Sequence, residues 1–248
     1  MSFEVLPILD KMLNFYQLPK GMDRFSAYMN ILNGDSKADM QVPVSFYNPM
    51  GKEHVSEKLQ ELIDLNAEAI AKEVIDGVNR TLASENLPTF KMVINLADDL
   101  KGAWTSKYTC DYDAKFKLNA FLERRFYVPV FWSSEVLSEK IIRDRIAQAC
   151  YRTVFQIKKG TPKTLEEHID QEAFAYQTSK INPNDTPLLN IDSVISFYSE
   201  NKNSTDYSLI FNFLYGDAAS ETLGFKTYGI SQANAGSLFA PIRYKFMK

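Results

Sequence analysis

The chain has 248 residues, of which 45% are apolar and 24% charged, as in an ordinary globular protein. Its 28 basic and 31 acidic residues give a net charge of −3, which argues against partners such as nucleic acid or an anionic membrane surface. The longest apolar run, Phe126 to Trp132, has seven residues, whereas a membrane-spanning helix needs about 20. The sequence therefore predicts a soluble, cytoplasmic protein with no membrane contact, folded as a single domain over residues 1–248.

In the first half of the chain, apolar residues recur every three or four positions, which predicts helices. Short helices are expected near residues 3–17, 22–32 and 112–124. The strongest pattern runs from Glu53 to about Ala83 and predicts one long amphipathic helix. Short β-rich segments at Val42–Tyr47, Lys91–Asn95 and Tyr127–Trp132 predict the strands of a small sheet.

In the second half, a long helix is predicted from Glu135 to Lys159, because Gly160 and Pro162 form a stop signal. Thr164 and Glu167 then have the spacing of a capping box, which predicts a helix to about Ser179. Residues 180–190 read as a loop or linker, and residues 190–200 as a helix. Residues 207–215 fit either a strand or a helix. The fold class expected is helix-rich α+β or α/β with a small sheet, and a mainly α fold is the alternative.

The segment from residue 95 to residue 113 is the best candidate for a binding site. It follows a predicted strand, and ligands of α/β sheets bind at the carboxyl ends of strands. Acidic, basic and aromatic side chains are concentrated in it, a mixture that suits a small polar ligand. The residues expected to contact a ligand are Asp98, Asp99, Trp104, Lys107 and Tyr108. The alternative is a solvated connection whose rings pack into the core.

His168 and Glu172 are one helical turn apart, and Glu172 falls within the apolar stripe of its predicted helix. A carboxylate that faces a core must find a partner or shift its pKa. The two residues are therefore a candidate acid/base pair, and the alternative is a structural ion pair between Glu172 and an arginine. Because the chain has only two histidines, no metal site is predicted. No cofactor can be named from the sequence.

The small net charge conceals large blocks of opposite sign. Residues 1–113 carry 11 basic and 17 acidic residues, and residues 114–160 carry 10 and 4. Residues 161–224 carry 3 and 10, and residues 225–248 carry 4 and none. Arginine grips phosphate or carboxylate with two parallel hydrogen bonds, so the basic block at 114–160 offers Arg124 and Arg125 as counter-charges for an anion. The alternative is that the block neutralises acidic neighbours within the fold.

These observations lead to two functional hypotheses, and they do not settle whether the protein is an enzyme. In the first, the protein is an enzyme or a binding protein for a small anionic metabolite, held by the 95–113 loop and the basic block 114–160. In the second, it is a non-catalytic homo-oligomeric interaction module. Its interface would use the surplus of aromatic residues, which make up 13% of the chain.

Overall fold

The structure is a computed structural model that describes residues 2–34, 39–85, 88–100, 106–180 and 190–243. Trp104 and residues 181–189 of the predicted loop lie outside these ranges. The chain divides into two compact units, which are Met1–Ala114 with Leu118–Cys150 (unit 1) and Lys115–Lys117 with Tyr151–Lys248 (unit 2). The expectation of a single domain over residues 1–248 stays a prediction.

The described residues form four short strands and twelve helices. In chain order they are β1 (Ser2–Val5), α1 (Leu9–Gln17), α2 (Met22–Asn33), α3 (Glu53–Asp64), α4 (Ala67–Thr81), β2 (Thr89–Met92), β3 (Asn95–Ala97), α5 (Lys107–Phe116), α6 (Asn119–Glu123), β4 (Val130–Trp132), α7 (Glu139–Lys159), α8 (Leu165–Ser179), α9 (Ile191–Asn201), α10 (Tyr207–Tyr215), α11 (Asp217–Thr222) and α12 (Ala235–Phe239). The predicted helix-rich α+β class is confirmed. Among the described residues, no helix combines the length and the apolar character needed to cross a membrane.

All the strands belong to unit 1 and pair in parallel, β1 with β2 and β3 with β4. Helices connect the members of each pair, because parallel neighbours need a crossover. Every residue of β3 and β4 is buried, which fits the apolar sequence of β4 and of the last two residues of β3, while the buried Asn95 amide finds a hydrogen-bond acceptor. In the β3–β4 register Ala97 lies opposite Trp132, so the residues that follow these two positions emerge at the same edge.

Several expectations for unit 1 differ from the structure, three of them in its helices. The long helix from Glu53 is two helices, because Asn66 adopts a left-handed conformation (φ 54°) between α3 and α4. Asparagine tolerates this conformation better than most residues, so the apolar periodicity continues across the break. The predicted helix at 3–17 begins instead as β1, which pairs with β2. The last difference is that α7 begins at Glu139 rather than Glu135, with the Ser138 hydroxyl accepting the Ile141 N–H at 3.3 Å.

The predicted strand Val42–Tyr47 is irregular in the structure. Pro43 cannot donate to a strand ladder. Side chains hold the segment to the sheet instead, since the Asn95 amide donates to the Pro43 carbonyl at 2.9 Å and the Tyr47 hydroxyl donates to the Ile94 carbonyl at 2.7 Å. The β propensity of the segment thus reflects burial against β3 rather than strand pairing.

Unit 2 contains helices in its described part. The predicted capping box is present at the start of α8, where the Thr164 hydroxyl accepts the Glu167 N–H at 3.2 Å and the Glu167 carboxylate accepts the Thr164 N–H at 3.1 Å. The ambiguous segment 207–215 is helix α10, and the Asp206 side chain caps its first turn by accepting the Leu209 N–H.

Candidate functional site

A cluster of polar side chains lies at the carboxyl ends of β3 and β4. Asp98 and Asp99 follow β3, and Ser133 and Ser134 follow β4. Because the two strands are parallel and in register at their last residues, these four residues share one edge of the sheet. This is the edge at which parallel sheets bind ligands, and we refer to the cluster as the strand-edge site.

Asp98 is the buried centre of the strand-edge site, with an exposed fraction of 3%. Its Oδ1 atom lies 2.8 Å from His54 Nε2 and accepts the Ser133 hydroxyl at 2.8 Å. The same oxygen accepts the Leu100 N–H at 3.3 Å. A buried carboxylate needs such donors, and here one of them is an imidazole from the first turn of α3.

Asp99 is bound by a second set of donors. Lys107 Nζ lies 2.7 Å from Oδ2, and the Ser134 hydroxyl donates to the same atom at 2.6 Å. The Ser134 N–H donates to Oδ1 at 3.0 Å. Burial alone would raise the pKa of Asp99, but the bonds from Lys107 and Ser134 outweigh it and hold the pKa below its usual value. The Lys107 ammonium also lies 5.5 Å from the centre of the Trp132 ring, so α5 is anchored to both strands.

His54 is the residue of this site that can exchange a proton with a ligand. Its side chain is 26% exposed, and Nδ1 has no hydrogen-bond partner among the described residues. When Nε2 donates its proton to Asp98, the lone pair on Nδ1 is free to accept one. His54 is not among the site residues predicted from the sequence, because it precedes Asp98 by 44 residues and only the packing of α3 brings the two together.

A cleft of about 290 Å³ lies in the same unit. Its lining residues are Phe25, Tyr28, Ser45, Phe46, Tyr47, Pro49 and Cys110. The Tyr28 and Tyr47 hydroxyls donate to backbone carbonyls at 3.1 and 2.7 Å, which leaves a largely aromatic wall. Phe46 and Cys110 also pack against the core cluster of Ala97, Val128, Val130 and Trp132, so the cleft lies beside the β3–β4 pair that carries the strand-edge site. Burial, together with the charge of Asp113, raises the pKa of Cys110, which keeps it a thiol.

The structure brings three of the predicted ligand-contacting residues together, namely Asp98, Asp99 and Lys107. Tyr108 follows Lys107 on α5 and is half-buried. Trp104 lies outside the described residues.

The structure gives Arg124 and Arg125 other contacts. Arg124 is exposed, and its Nε donates to Asp39 at 2.8 Å. Arg125 is exposed with φ 58°, and its carbonyl accepts the Lys91 N–H at 2.8 Å where the chain turns toward β4.

Other arginines of the basic block are neutralised within the chain. Arg145 forms a two-pronged ion pair with Glu135, and Arg143 bonds both Glu73 and Glu139. In unit 2, Arg152 pairs with Glu172. These contacts support the alternative in which the block serves its own acidic neighbours, although they leave Arg125 available.

His168 and Glu172 lie on the buried face of α8 in unit 2. Glu172 accepts two hydrogen bonds from Arg152, each 2.7 Å long, and the exposed fractions of the two side chains are 0% and 6%. His168 Nδ1 lies 2.7 Å from the Thr164 carbonyl, and its ring packs 4.8 Å from the Phe116 ring. Burial lowers the pKa of His168, which favours the neutral ring. The arrangement has the features of a structural ion pair, and the acid/base role of the two residues stays a prediction.

The strand-edge site has no metal-binding geometry, since no group of three or more His, Cys, Asp or Glu side chains suited to a metal occurs in the described part of the chain. Comparison with family models, curated proteins and solved structures finds no match for this chain. The chemistry of the strand-edge site therefore carries the functional argument by itself.

Proposed function

We propose that the protein is an enzyme or binding protein for a small anionic metabolite, bound at the strand-edge site of unit 1. The observation that carries the proposal is the 2.8 Å bond between His54 Nε2 and the buried Oδ1 of Asp98. A carboxylate that holds one nitrogen of an imidazole orients the ring and fixes its tautomer. His54 would then accept or donate a proton through Nδ1, and Asp98 would stabilise the charged form of the ring.

The surroundings of the dyad support a ligand rather than a purely structural role. Two lysines lie near the dyad, and each is paired with a carboxylate, Lys107 with Asp99 and Lys58 with Glu61; the Lys58 ammonium also lies 2.8 Å from the Glu135 carbonyl. The aromatic cleft lies beside the β3–β4 pair and is large enough for a small metabolite. His54 adds a partly exposed ring nitrogen, Nδ1, that has no partner among the described residues and that a ligand can contact.

A thermal-shift screen of carboxylates and phosphate esters tests the proposal. At 100 times its Kd a ligand adds about 2.7 kcal/mol to stability, and each kcal/mol raises the Tm of a chain of this size by about 2–4 °C. The compound that gives the largest shift should lose most of it in His54→Gln. The matched control is His168→Gln, which replaces the other histidine of the chain and should keep the shift. An equal shift in the wild type and His54→Gln would refute the assignment of the site.

The second candidate, a non-catalytic homo-oligomeric module, is favoured by an exposed apolar set beside α1 and α2. Leu18, Met22, Phe25 and Met50 have exposed fractions of 41%, 73%, 38% and 37%. These four residues fall within the segment from the end of α1 to the start of α3, and exposed large apolar side chains of this kind are what an interface between subunits would cover. Size-exclusion chromatography with light scattering is the test, and a monomer at every concentration tried would refute this candidate. Met22→Lys should shift an oligomer toward monomer.

A further inference from the structure

Three arginines among the described residues are buried, and they differ in their partners. Arg152 and Arg243 have exposed fractions of 5% and 8%, and each forms an ion pair, with Glu172 and Asp170 respectively. Arg24 is buried more deeply, with an exposed fraction of 3%, yet no carboxylate of the described residues forms an ion pair with it. A buried charge without a counter-charge is strongly unfavourable, so buried arginines are normally paired.

The guanidinium of Arg24 stacks on aromatic rings, but no negatively charged group of the described residues balances its charge. Its guanidinium carbon lies 4.7 Å from the centre of the Tyr16 ring and 5.2 Å from that of Phe15. Nη2 reaches the Gly51 carbonyl at 3.4 Å, a long hydrogen bond, and the buried Nε has no acceptor. Burial raises the pKa of Tyr16 far above neutrality, so its ring supplies no negative charge. Burial also lowers the pKa of Arg24, but an arginine stays charged at neutral pH.

We propose that Arg24 is the counter-charge of an anion-binding site, and that it takes a carboxylate or phosphate group of a small molecule. Such a group would accept from Nε and the adjacent Nη atom in the two-pronged geometry that arginine favours. The inference rests on the proposed function in that it supplies the positive charge that the anionic metabolite needs. From the sequence, Arg124 and Arg125 were the residues predicted to supply this charge.

The position of Arg24 fits this role. Phe25 and Tyr28, which follow it on α2, line the cleft, and Gly51 lies just before α3, which carries His54. The charge of Asp98 contributes to the raised pKa of Tyr16, the ring on which Arg24 stacks. Arg24 therefore lies beside residues that line the aromatic cleft, without lining the cleft itself, and Asp98 is within electrostatic reach of the ring on which Arg24 stacks.

The neighbouring charge of Asp23 does not fill this role. Asp23 lies in the same first turn of α2 and is exposed, and no ion pair joins it to Arg24. The cap residue Gly21 provides no side-chain hydrogen bond to the turn. The N–H groups at the start of α2 are thus not bonded by a capping side chain, and the only acidic residue in this turn is the exposed Asp23.

The experiment is a titration of the full chain with inorganic phosphate and, separately, with citrate, each against sodium chloride at equal ionic strength. We expect the Tm of the wild type to rise saturably with at least one of the two anions, and the arm that saturates identifies phosphate or carboxylate chemistry. Arg24→Met should weaken the apparent Kd at least tenfold. Arg124→Met, which removes an exposed arginine paired with Asp39, should leave it unchanged. Arg24→Lys keeps the charge without the fork and should bind with intermediate affinity.

Baseline stability supplies a second readout. In chloride alone Arg24→Met should unfold at the same urea concentration as the wild type or a higher one, because it removes an unpaired buried charge and keeps the apolar stem. The absence of a saturable shift in the wild type, or the same apparent Kd in Arg24→Met, would overturn the inference. A shift lost in His54→Gln but kept in Arg24→Met would refute the role of Arg24 and leave the proposed function standing. The reverse pattern, a shift kept in His54→Gln and lost in Arg24→Met, would refute the strand-edge site of the proposed function and support the role of Arg24.

Discussion

The buried ion pair between Arg152 and Glu172 in unit 2 should contribute strongly to the free energy of unfolding. Arg152 and Glu172 are joined by two hydrogen bonds of 2.7 Å, and their exposed fractions are only 6% and 0%. Removal of one side chain breaks both of these bonds and leaves the other residue buried and charged. We therefore expect Arg152→Met and Glu172→Met each to lower the free energy of unfolding by about 3–5 kcal/mol.

The double variant Arg152→Met/Glu172→Met should recover most of this loss. It removes both charges and replaces them with apolar side chains of similar length, a change that is often neutral or stabilising in buried pairs. The double-mutant cycle should thus give a coupling energy of about 3 kcal/mol or more, near the upper end of the range for residues in contact.

Urea denaturation followed by circular dichroism measures the three free energies. The exposed pair of Arg124 and Asp39 is the matched control, with exposed fractions of 36% and 52%. Its cycle should give a coupling energy of about 1 kcal/mol or less. Single losses below about 1 kcal/mol at Arg152 and Glu172, with no coupling, would refute the reasoning from burial.

Three smaller predictions concern local features of unit 2. Burial holds the pKa of His168 below its usual value of 6.5 in the folded state, so the unfolded chain binds the proton more readily and stability should fall as the pH drops below 6.5. The urea midpoint of the wild type should therefore decrease between pH 7 and pH 5.5, and it should decrease less in His168→Gln. Thr164→Ala removes the acceptor of the Glu167 N–H and should cost about 1 kcal/mol in urea denaturation, whereas Thr164→Ser should cost little. Gly216 has φ 89°, and a Cβ there would lie 2.6 Å from the Gln232 carbonyl oxygen, so Gly216→Ala should cost more than about 1 kcal/mol; an unchanged Tm would contradict this.

The sequence predicts an element correctly where the contacts that determine it join residues close together in the chain. The α8 helix begins with the capping box of Thr164 and Glu167, three residues apart, and the structure has both of its hydrogen bonds. The break between α3 and α4 was not predicted, because no local signal marks it. Leu65 and Asn66 do not interrupt the apolar stripe, and nothing local signals that Asn66 takes a left-handed conformation.

Only some residues of the strand-edge site could be predicted from the sequence. Asp98, Asp99 and Lys107 lie within ten residues of one another and follow a strand, so they could be proposed from position alone. His54 and Ser133 lie 44 and 35 residues from Asp98, and the parallel pairing and the packing of α3 bring them to it. Contacts of that separation leave no local trace in one sequence.

The charge pattern of the sequence and the burial seen in the structure point to different arginines for an anion site. Block sums select residues 114–160, where Arg124 and Arg143 are exposed or half-exposed and already paired with carboxylates. Arg24 lies in the acidic block 1–113, where the sum conceals it. What distinguishes Arg24 is a mismatch that only a structure reveals, namely deep burial without a counter-charge. Since a paired charge is already neutralised by its own chain, a buried arginine without a counter-charge, whatever the sign of its block, is the better candidate to bind an anion.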